Sequence, residues 1–562
     1  MFNSIYPYLI NNNLISTKQS GFIKGDSTTN QLLSITNMIH NAFDCDIPKE
    51  VRSVYLDISK AFDKVWHDGL IYKLKQNGIQ GKLLQLIENF LSNRVQRTSI
   101  NGKLSSWKPI VAGVPQGSVL GPVLFLVFIN DLIHGMKSDA RIFADDTSLF
   151  VIVDDPLVAH DILMHDLNLV EIWANQWRMS FNPDPSKPPI EVIFSTKSEP
   201  PYHPSLTFGG SIVQRSIEHK HIGLILDKSL SFHSHIKQAI TKASQGIGVM
   251  KFMSAYAPRF TLEQIFKSYV RPHLEYGDII FHQTPMETDE TTNEKQICPL
   301  STEHINDLMM KLESIQYQAA LSITGGWKGT NRTKLYGELG WEWLSQRRWH
   351  RRMSAFHNIV YKTSPSYLTD LLRFRTLGRG NIDPLCPIFA RTEKSKMSFF
   401  PACSFSWNKL INHNLRIIDD VAQFKVRILK SIRPKKQETY GVSDRVGLRY
   451  LTQLRLDLCC LKFYKFEHNF NDTPNNTCSA GDGIENKEHF LLDCQLFVAQ
   501  RRTLLDNVSR IIGTNIGSFS RDKIEHILLY GDNAFKRTVN KGILIETINF
   551  IKSTKRFDKE SQ

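Results

Sequence analysis

The chain is 562 residues long, enough for roughly three or four domains, and its 41% hydrophobic and 10% aromatic content is typical of a globular protein. The longest apolar run, residues 119–129, is too short to span a bilayer, so we expect no membrane partner. Eight cysteines are too sparse for a disulfide framework, which predicts an intracellular, reducing compartment. The net charge of +14 is concentrated in residues 351–450, where 19 Lys and Arg face 7 Asp and Glu, and such a basic block indicates a nucleic-acid partner.

The first segment that suggests chemistry is a turn followed by a strand. Gly21, Lys24 and Gly25 make a flexible, basic turn that is suited to lie against phosphates. Residues 53–58 then form an apolar, β-prone run that is interrupted by Asp57. Because a carboxylate buried in a strand is costly unless it is paired or binds a metal, Asp57 is a candidate site residue.

Helices and a hairpin lead to a glycine-rich turn. Apolar residues recur at helical spacing in residues 62–74 and 82–91, and Asn101-Gly102 predicts a hairpin. The turn of residues 112–122, with its glycines and prolines, precedes an apolar helix over residues 123–133. Such a turn lets the backbone approach a ligand closely.

The most informative stretch is residues 141–150, in which Asp145 and Asp146 are adjacent. The apolar residues 142–144 and 149–153 on either side predict the two strands of a β-hairpin. Two aspartates at its tip repel each other unless a cation shares them. An Asp-Asp pair is more often a solvated turn, so the pair alone does not assign a site.

The later elements complete an α+β pattern. A periodic helix is predicted over residues 157–177, strands over 191–195 and 221–227, and mainly helices over 232–372. In chain order, these elements predict a mostly antiparallel sheet that is followed by helices.

Two pairs of arginines flank an aromatic residue within this helical region. They are Arg347, Arg348, Arg351 and Arg352. This interleaving suits contact with a nucleic-acid backbone together with base stacking. A solvated basic face is the alternative interpretation.

Taken together, these stretches resemble the reverse transcriptases of non-LTR (LINE-type) retrotransposons, close to the jockey-like group. Residues 55–66 (YLDISKAFDKVW) resemble the family's first catalytic motif, residues 113–118 (GVPQGS) its template and nucleotide motif, and residues 143–146 (FADD) its signature. The resemblance covers nearly the whole chain and implies a right-hand polymerase with an antiparallel palm sheet.

The resemblance also implies a domain organisation. Fingers and palm would occupy residues 1–230, a mostly helical thumb residues 232–372, a linker residues 373–397, and a C-terminal region with a Cys/His element residues 398–562. Since the chain starts partway into the family's fingers and has no endonuclease domain upstream, it looks like a truncated element.

The implied activity is that of an RNA-directed DNA polymerase, which extends a DNA primer on an RNA template with dNTPs. Such phosphoryl transfer depends on positioning and charge neutralisation. Two Mg²⁺ ions, or Mn²⁺, would be held by Asp57, Asp145 and Asp146. Lys187 lies where the family has a lysine that would protonate or steady the pyrophosphate, and a solvated loop lysine is the alternative.

Further residues receive implied roles in substrate binding. Phe62 would lie under the incoming sugar, where its ring would clash with a 2′-hydroxyl, although it also fits a core position. Gln116 and Gly117 would contact the template–nucleotide pair. Lys24 would contact the triphosphate, since Ile23 stands where many relatives carry arginine. The carbonyl of Ile58 would bind a metal. His221 and Gly223 would contact the primer.

Three residues near the C-terminus resemble the family's Cys-His element, which usually has four zinc ligands. They are Cys478, His489 and Cys494. The expected second cysteine falls on Ala480, and three ligands are too few for a closed tetrahedral site. Asp482 or Glu485 could supply the fourth ligand, and a metal-free helical subdomain is the alternative.

Two other functions stay open on the sequence alone. An RNA-dependent RNA polymerase also uses separated aspartates, but Phe62 argues against it because such enzymes need space for the 2′-hydroxyl. A decayed or domesticated nucleic-acid-binding protein would keep the fold without turnover. The intact Asp57, Asp145, Asp146 and Gln116 argue against full decay, whereas the missing upstream segment and Ala480 argue for partial decay. Action in the nucleus is expected from the resemblance only.

Overall fold

The computed structural model describes residues 1–181, 188–282, 307–374, 385–410, 415 and 417–558. The chain divides into two compact units. The first unit comprises residues 1–235, 277–286 and 352–421, and the second comprises residues 236–276, 287–351 and 422–562. The predicted thumb, residues 232–372, is divided between them. Within the described part of the chain, no helix combines the length and the apolar character needed to cross a membrane.

Among the described residues, the strands lie between Glu50 and Asp227. In chain order they are β1 (Glu50–Asp57), β2 (Val95–Gln96), β3 (Ser99–Ile100), β4 (Lys103–Leu104), β5 (Lys108–Pro109), β6 (Asp139–Phe143), β7 (Asp146–Val153), β8 (Ile190–Phe194), β9 (Thr207–Phe208), β10 (Ser211–Ile212), β11 (Gln214–Ser216), β12 (Glu218–His221) and β13 (Leu224–Asp227). Five of them form the central sheet of the first unit, in the order β11-β8-β1-β7-β6.

Neighbouring strands of the central sheet run antiparallel, except that β11 is parallel to β8. Strand β1 lies in the middle and is buried along nearly its whole length, as its apolar sequence requires. Its register with β7 pairs Glu50 with Val153 at one end and Asp57 with Asp146 at the other. The predicted α+β fold with a mostly antiparallel sheet is confirmed.

Helices account for most of the remaining structure. They are α1 (Phe2–Asn11), α2 (Thr28–Phe43), α3 (His67–Gln76), α4 (Gly81–Leu91), α5 (Leu120–Ile129), α6 (Pro156–Gln176), α7 (His233–Met253), α8 (Arg259–Ile265), α9 (Arg271–Glu275), α10 (Asp278–Phe281), α11 (Asp307–Thr324), α12 (Arg332–Leu339), α13 (Leu344–Val360), α14 (Ser366–Thr369), α15 (Glu393–Met397), α16 (Phe399–Lys409), α17 (Val421–Ile432), α18 (Arg445–Arg455), α19 (Lys462–Glu467), α20 (Val498–Ile512), α21 (Arg521–Tyr530) and α22 (Arg537–Ser553).

Two predicted elements differ from the structure. Residues 221–227 form part of the hairpin β12–β13 rather than one strand, because Ile222 and Gly223 have φ values of 44° and 83° and reverse the chain. The helix predicted from Phe62 begins only at His67, since a short 3₁₀ turn and an extended Trp66 precede it. Apolar spacing alone does not reveal such backbone reversals.

Candidate active site

The acidic residues that were predicted to form the site meet at one end of the central sheet. Asp57 ends β1, and Asp146 begins β7 directly opposite it. Asp145 lies with Ala144 in the turn between β6 and β7. One antiparallel strand pair therefore brings together carboxylates that are far apart in the sequence.

The electrostatics of this sheet end favour a bound cation. Burial raises the pKa of Asp145 above its ordinary value, and the nearby charge of Asp57 raises it further. Because like charges held close together repel, a divalent cation between these carboxylates would relieve the repulsion. Carboxylate oxygens are also the ligands that hard cations such as Mg²⁺ prefer. Asp57 and Asp145 therefore fit a divalent metal.

An N-terminal segment, which the sequence did not assign to the site, holds the hairpin that carries Asp145. The amide of Ile142 donates to the carbonyl of Lys18, and the amide of Ser20 donates to the carbonyl of Ile142, both at 3.0 Å. The buried Gln31 also donates to that carbonyl, through its side-chain amide at 3.1 Å. Residues 18–20 thus extend the edge of the sheet beside β6.

Gln19 binds the tip of the hairpin directly. Its buried side-chain oxygen accepts hydrogen bonds from the amides of Ala144 (3.0 Å) and Gly21 (2.8 Å). Ala144 has a φ of 57°, a left-handed conformation that is unfavourable for alanine. The contact with Gln19 therefore stabilises the strained residue that immediately precedes Asp145.

Gly21 makes the close approach of this segment possible. A Cβ atom at Gly21 would collide with the amide nitrogen and Cα of Ala144. The sequence placed Gly21 in a phosphate-binding turn, whereas the structure gives it a packing role against the hairpin. No local pattern indicates this role, because the contact joins segments more than a hundred residues apart.

Phe62 lies between two other aromatic rings. It stacks on Phe125 with the ring centroids 4.4 Å apart, and Phe22 meets it edge-on at 5.9 Å. Phe125 is fully buried, whereas Phe22 is 50% exposed. One face of Phe62 thus packs on the core, and its other side borders an accessible ring. These contacts are compatible with a core position and with the predicted contact with the incoming sugar.

The glycine-rich turn before α5 is fixed to the segment that follows Asp57. The side-chain amide of Gln116 donates to the Asp63 carboxylate (2.9 Å), and the amide of Val114 donates to the carbonyl of Phe62 (2.8 Å). Gln116 and Gly117 themselves are exposed. The turn therefore presents an open polar edge near Phe62.

The other predicted contact residues differ in their surroundings. Lys24 is exposed in the turn that precedes α2, whereas Ile58 is buried and bridges to Phe181. The ring of His221 is buried beside Tyr55, and burial lowers its pKa to about 3. A buried neutral ring is not accessible to a nucleic acid, so the predicted primer contact does not fall on the His221 side chain. Lys187 lies outside the described residues.

The four arginines of α13 do not form one exposed face. Arg352 is fully buried in the first unit and donates to the carbonyls of His282 (2.7 Å) and Met397 (3.1 Å). Arg348 is buried in the second unit, at 3% exposure. Because a buried guanidinium group cannot reach a phosphate, the prediction of a nucleic-acid contact does not hold for these two residues.

Arg347 and Arg351 of α13 are ion-paired within the second unit. Both bind the carboxylate of Glu275, with a distance of 2.7 Å from the Arg351 guanidinium. The sequence pattern missed this pairing because Glu275 lies more than seventy positions upstream. Both guanidinium groups are thus already engaged in ion pairing within the second unit.

The Cys/His element of the second unit gathers four ligand atoms. They belong to Cys478, Asp482, His489 and Cys494, and all lie within 4.8 Å of one another. The two sulfur atoms are 3.5 Å apart, and His489 Nε2 is 3.2 Å from the Asp482 carboxylate. Two thiolates on one tetrahedral zinc ion, with bonds of about 2.3 Å, would be about 3.8 Å apart, so the observed spacing fits such an ion.

The structure distinguishes between the two carboxylates considered as a fourth ligand. Glu485 is engaged elsewhere, because its carboxylate pairs with Arg556 at 2.7 Å and accepts the amide of Lys462 at 2.9 Å. Asp482 belongs to the cluster and is the acid that faces His489. Burial raises the pKa of the Cys478 thiol to about 12.

Residues 2–187 match the family model described as "Reverse transcriptase (RNA-dependent DNA polymerase)". The chain is similar to the RNA-directed DNA polymerase from mobile element jockey of Drosophila funebris (33% identical) and of Drosophila melanogaster (32%), each over 271 residues, or 46% of this chain and 29% of the relative. It is also 29% identical over 287 residues to a probable RNA-directed DNA polymerase from transposon BS of Drosophila melanogaster, covering 49% of this chain and 31% of that one.

The similarities are partial in two respects. The chain spans less than a third of the length of these relatives. Among solved structures, the chain is similar to apo telomerase from Candida tropicalis, with a TM-score of 0.33 and 8% sequence identity. The similarity covers 77% of this chain and 60% of the telomerase chain. The resemblance to the reverse transcriptases of jockey-like non-LTR retrotransposons is nevertheless confirmed by sequence, and residues 2–187 contain the match to the reverse transcriptase family.

Proposed function

We propose that this chain is an RNA-directed DNA polymerase that extends a DNA primer on an RNA template with dNTPs. The supporting observation is the convergence of Asp57, Asp145 and Asp146 on adjoining ends of β1 and β7, within the segment that matches the reverse transcriptase family. In this proposal the central sheet is the palm, the surrounding N-terminal elements are the fingers, and the helices after residue 232 include the thumb. By its resemblance, the protein would act in the nucleus.

The reaction is a phosphoryl transfer from an incoming dNTP to the primer hydroxyl. In the proposed site, Asp57, Asp145 and the carbonyl of Ile58 would hold Mg²⁺, with Asp146 beside them. Bound Mg²⁺ ions would activate the hydroxyl and neutralise the charge on the departing pyrophosphate. Burial raises the pKa of Asp145 and so disfavours its ionised form when no cation is near. The protonation of this carboxyl group is therefore coupled to metal binding.

Neighbouring residues would select and orient the substrates. Phe62 would block a 2′-hydroxyl, and the exposed Gln116–Gly117 edge would meet the template–nucleotide pair. Lys24 and Lys187 would contact the phosphates. The turn at Gly223 would support the primer through its backbone.

Primer extension by the full chain tests this proposal. We expect dNTP incorporation on a primed RNA template with Mg²⁺, and a fall of at least about a thousandfold for Asp145→Ala because the charge-neutralising ligand is lost. Binding of the same RNA should persist in this variant. Asp154→Asn is a matched control, since Asp154 follows the other end of β7 and its side chain is 76% exposed.

The outcome separates the competing functions. Tight RNA binding without synthesis by the unmodified chain would favour the nucleic-acid-binding alternative. Equal use of ribonucleotides would favour an RNA polymerase. Synthesis that survives Asp145→Ala would overturn the assignment of the site.

We also propose that Cys478, Asp482, His489 and Cys494 hold a structural zinc ion. Three of these residues are buried, as is usual for a closed site, and Asp482 takes the place of the cysteine that is absent at Ala480. Zinc content of the purified full chain tests this, with about one ion per chain expected. Cys478→Ser should remove it, whereas the control Cys45→Ser should not, because Cys45 lies outside the cluster. A metal-free chain would leave the cluster as a pair of reduced thiols.

A further inference from the structure

The second unit carries large apolar side chains on its surface, in residues 249–269. We call this set the aromatic surface; its members are Val249, Phe252, Tyr256, Phe260 and Tyr269. Val249 is 58% exposed, and the four aromatic side chains are between 68% and 71% exposed. Isolated exposed apolar residues are ordinary, but several on neighbouring helices form a patch, and patches mark interaction sites.

Packing of the two helical segments brings Tyr269 beside α7. A Cβ atom at Gly246 in α7 would lie 2.8 Å from Cγ2 of Val270 and 3.6 Å from the carbonyl oxygen of Tyr269, so α7 and the segment after α8 are in direct contact. Val249, Phe252 and Tyr256 follow each other at spacings of three and four residues, which brings them to one side of α7 and its C-terminal extension. The rings of Phe252 and Tyr256 are 5.6 Å apart.

The charge around this surface is one-sided. Residues 236–276 contain six Lys and Arg but two carboxylates, Glu263 and Glu275. Both are buried, at 5% and 9% exposure, and both are bound by cations: Glu263 by Lys436 at 2.8 Å and Glu275 by Arg351 at 2.7 Å. Lys242 and Lys251 are exposed on α7. The aromatic surface is therefore bordered by cations and exposes no carboxylate of residues 236–276.

This combination identifies the chemistry of the partner. Exposed cations without carboxylates attract a polyanion, and nucleic acid is the polyanion that also offers flat apolar faces. In a duplex the bases are stacked on one another and their faces are closed to side chains, whereas an unpaired strand exposes them.

We propose that the aromatic surface binds a single strand of RNA or DNA. Unpaired bases stack on Phe252, Tyr256, Phe260 and Tyr269, and lysines such as Lys242 contact the phosphates. The inference deepens the proposed function, because copying of RNA involves an unpaired template. It is tested by binding alone, so that its failure and the failure of the polymerase proposal are distinguishable.

Equilibrium binding to the full chain provides the test. The probes are a fluorescent homopolymeric oligonucleotide without secondary structure and a blunt duplex of equal length, both followed by anisotropy at several salt concentrations. The combined variant Phe252→Ala, Tyr256→Ala, Phe260→Ala and Tyr269→Ala should weaken binding of the single strand at least about tenfold. Binding of the duplex should change about twofold or less.

Two control variants lie outside the aromatic surface, and a third variant tests the contribution of its charge. Tyr202→Ala and Phe389→Ala remove rings that are 82% and 88% exposed in the first unit, and neither should alter the affinity for the single strand. Lys242→Gln should reduce the salt dependence of binding without removing the preference for the single strand. Sedimentation of each variant tests for folding and for the oligomeric state.

Three results would overturn the inference. Unchanged single-strand affinity in the folded combined variant is the first, and an equal loss for single strand and duplex is the second. The third is a change from dimer to monomer with no loss of binding, which would make the aromatic surface an interface between copies of the chain. None of these results depends on primer extension.

Discussion

The two units each gather metal-ligating side chains, but they do so in opposite ways. In the first unit, Asp57 and Asp145 come from distant segments and meet because two strands of a sheet pair. In the second unit, Cys478 and Cys494 lie within one short segment that folds back on itself. The acidic residues are partly exposed, whereas the sulfur atoms are buried.

This difference indicates which function each group of residues suits. An open carboxylate pair on a rigid sheet can admit a substrate and cations, and it tolerates charge repulsion when they are absent. A closed Cys/His cluster has no room for a substrate, and a metal there would stabilise the local fold. We therefore expect that replacing the metal-ligating side chains reduces DNA synthesis in the first unit and the free energy of unfolding in the second.

The largest expected effect is on synthesis, from Asp57→Asn combined with Asp145→Asn. Synthesis should fall by about a thousandfold or more, because neutral amides do not replace anionic ligands. The free energy of unfolding of the metal-free chain should at the same time rise by about 1 kcal/mol, because like charges are removed from a partly buried place. Primer extension and thermal unfolding without Mg²⁺ measure the two quantities. A destabilised variant would contradict the view that these carboxylates repel each other.

Gln19→Ala should have the next largest effect, through the position of Asp145. Loss of the acceptor for the Ala144 amide frees a strained turn, and a shift of about 1 Å at a reacting group can reduce the rate about a hundredfold. We expect kcat to fall about 10- to 100-fold and the Mg²⁺ requirement to rise, with RNA affinity unchanged.

Gln31→Ala is the matched control for this prediction. Gln31 binds the carbonyl of Ile142 in the strand and not the tip of the hairpin, so its loss should affect kcat less. Equal effects of the two variants, or a loss of RNA binding in both, would indicate a general folding defect instead of a positioning role.

Gln19 also marks the limit of what the sequence predicts. The hairpin around Asp145 and Asp146 and the strand with Asp57 are local patterns, and both were predicted correctly. The contact between Gln19 and Ala144 depends on pairing between residues 18–20 and β6, which no local spacing encodes. The predicted nucleic-acid contact of Arg348 and Arg352 is wrong for the same reason, since the burial of these two side chains is a tertiary feature.

Phe62→Val should produce a smaller, selective effect in the first unit. A shorter side chain would leave space for a 2′-hydroxyl, and the preference for dNTPs over NTPs should fall about tenfold, in line with the modest selectivity of purely steric exclusion. Single-nucleotide extension measures the ratio. Phe22→Ala is the control, because it removes the exposed ring beside Phe62 and leaves Phe62 on Phe125. Unchanged discrimination in Phe62→Val would assign this residue to the core alone.

The smallest expected effect concerns the second unit and separates two neighbouring acids. Asp482→Ala should lower zinc affinity about 10- to 100-fold without abolishing it, because two sulfurs and His489 would remain as ligands. Glu485→Gln should leave zinc content unchanged but weaken the ion pair with Arg556, which lowers the free energy of unfolding because the guanidinium loses its buried partner. Zinc titration and thermal unfolding with and without a chelator distinguish the two. If Glu485→Gln lost the metal and Asp482→Ala kept it, the fourth ligand would be the acid that now faces Arg556, and the closed cluster would have to rearrange to bind zinc.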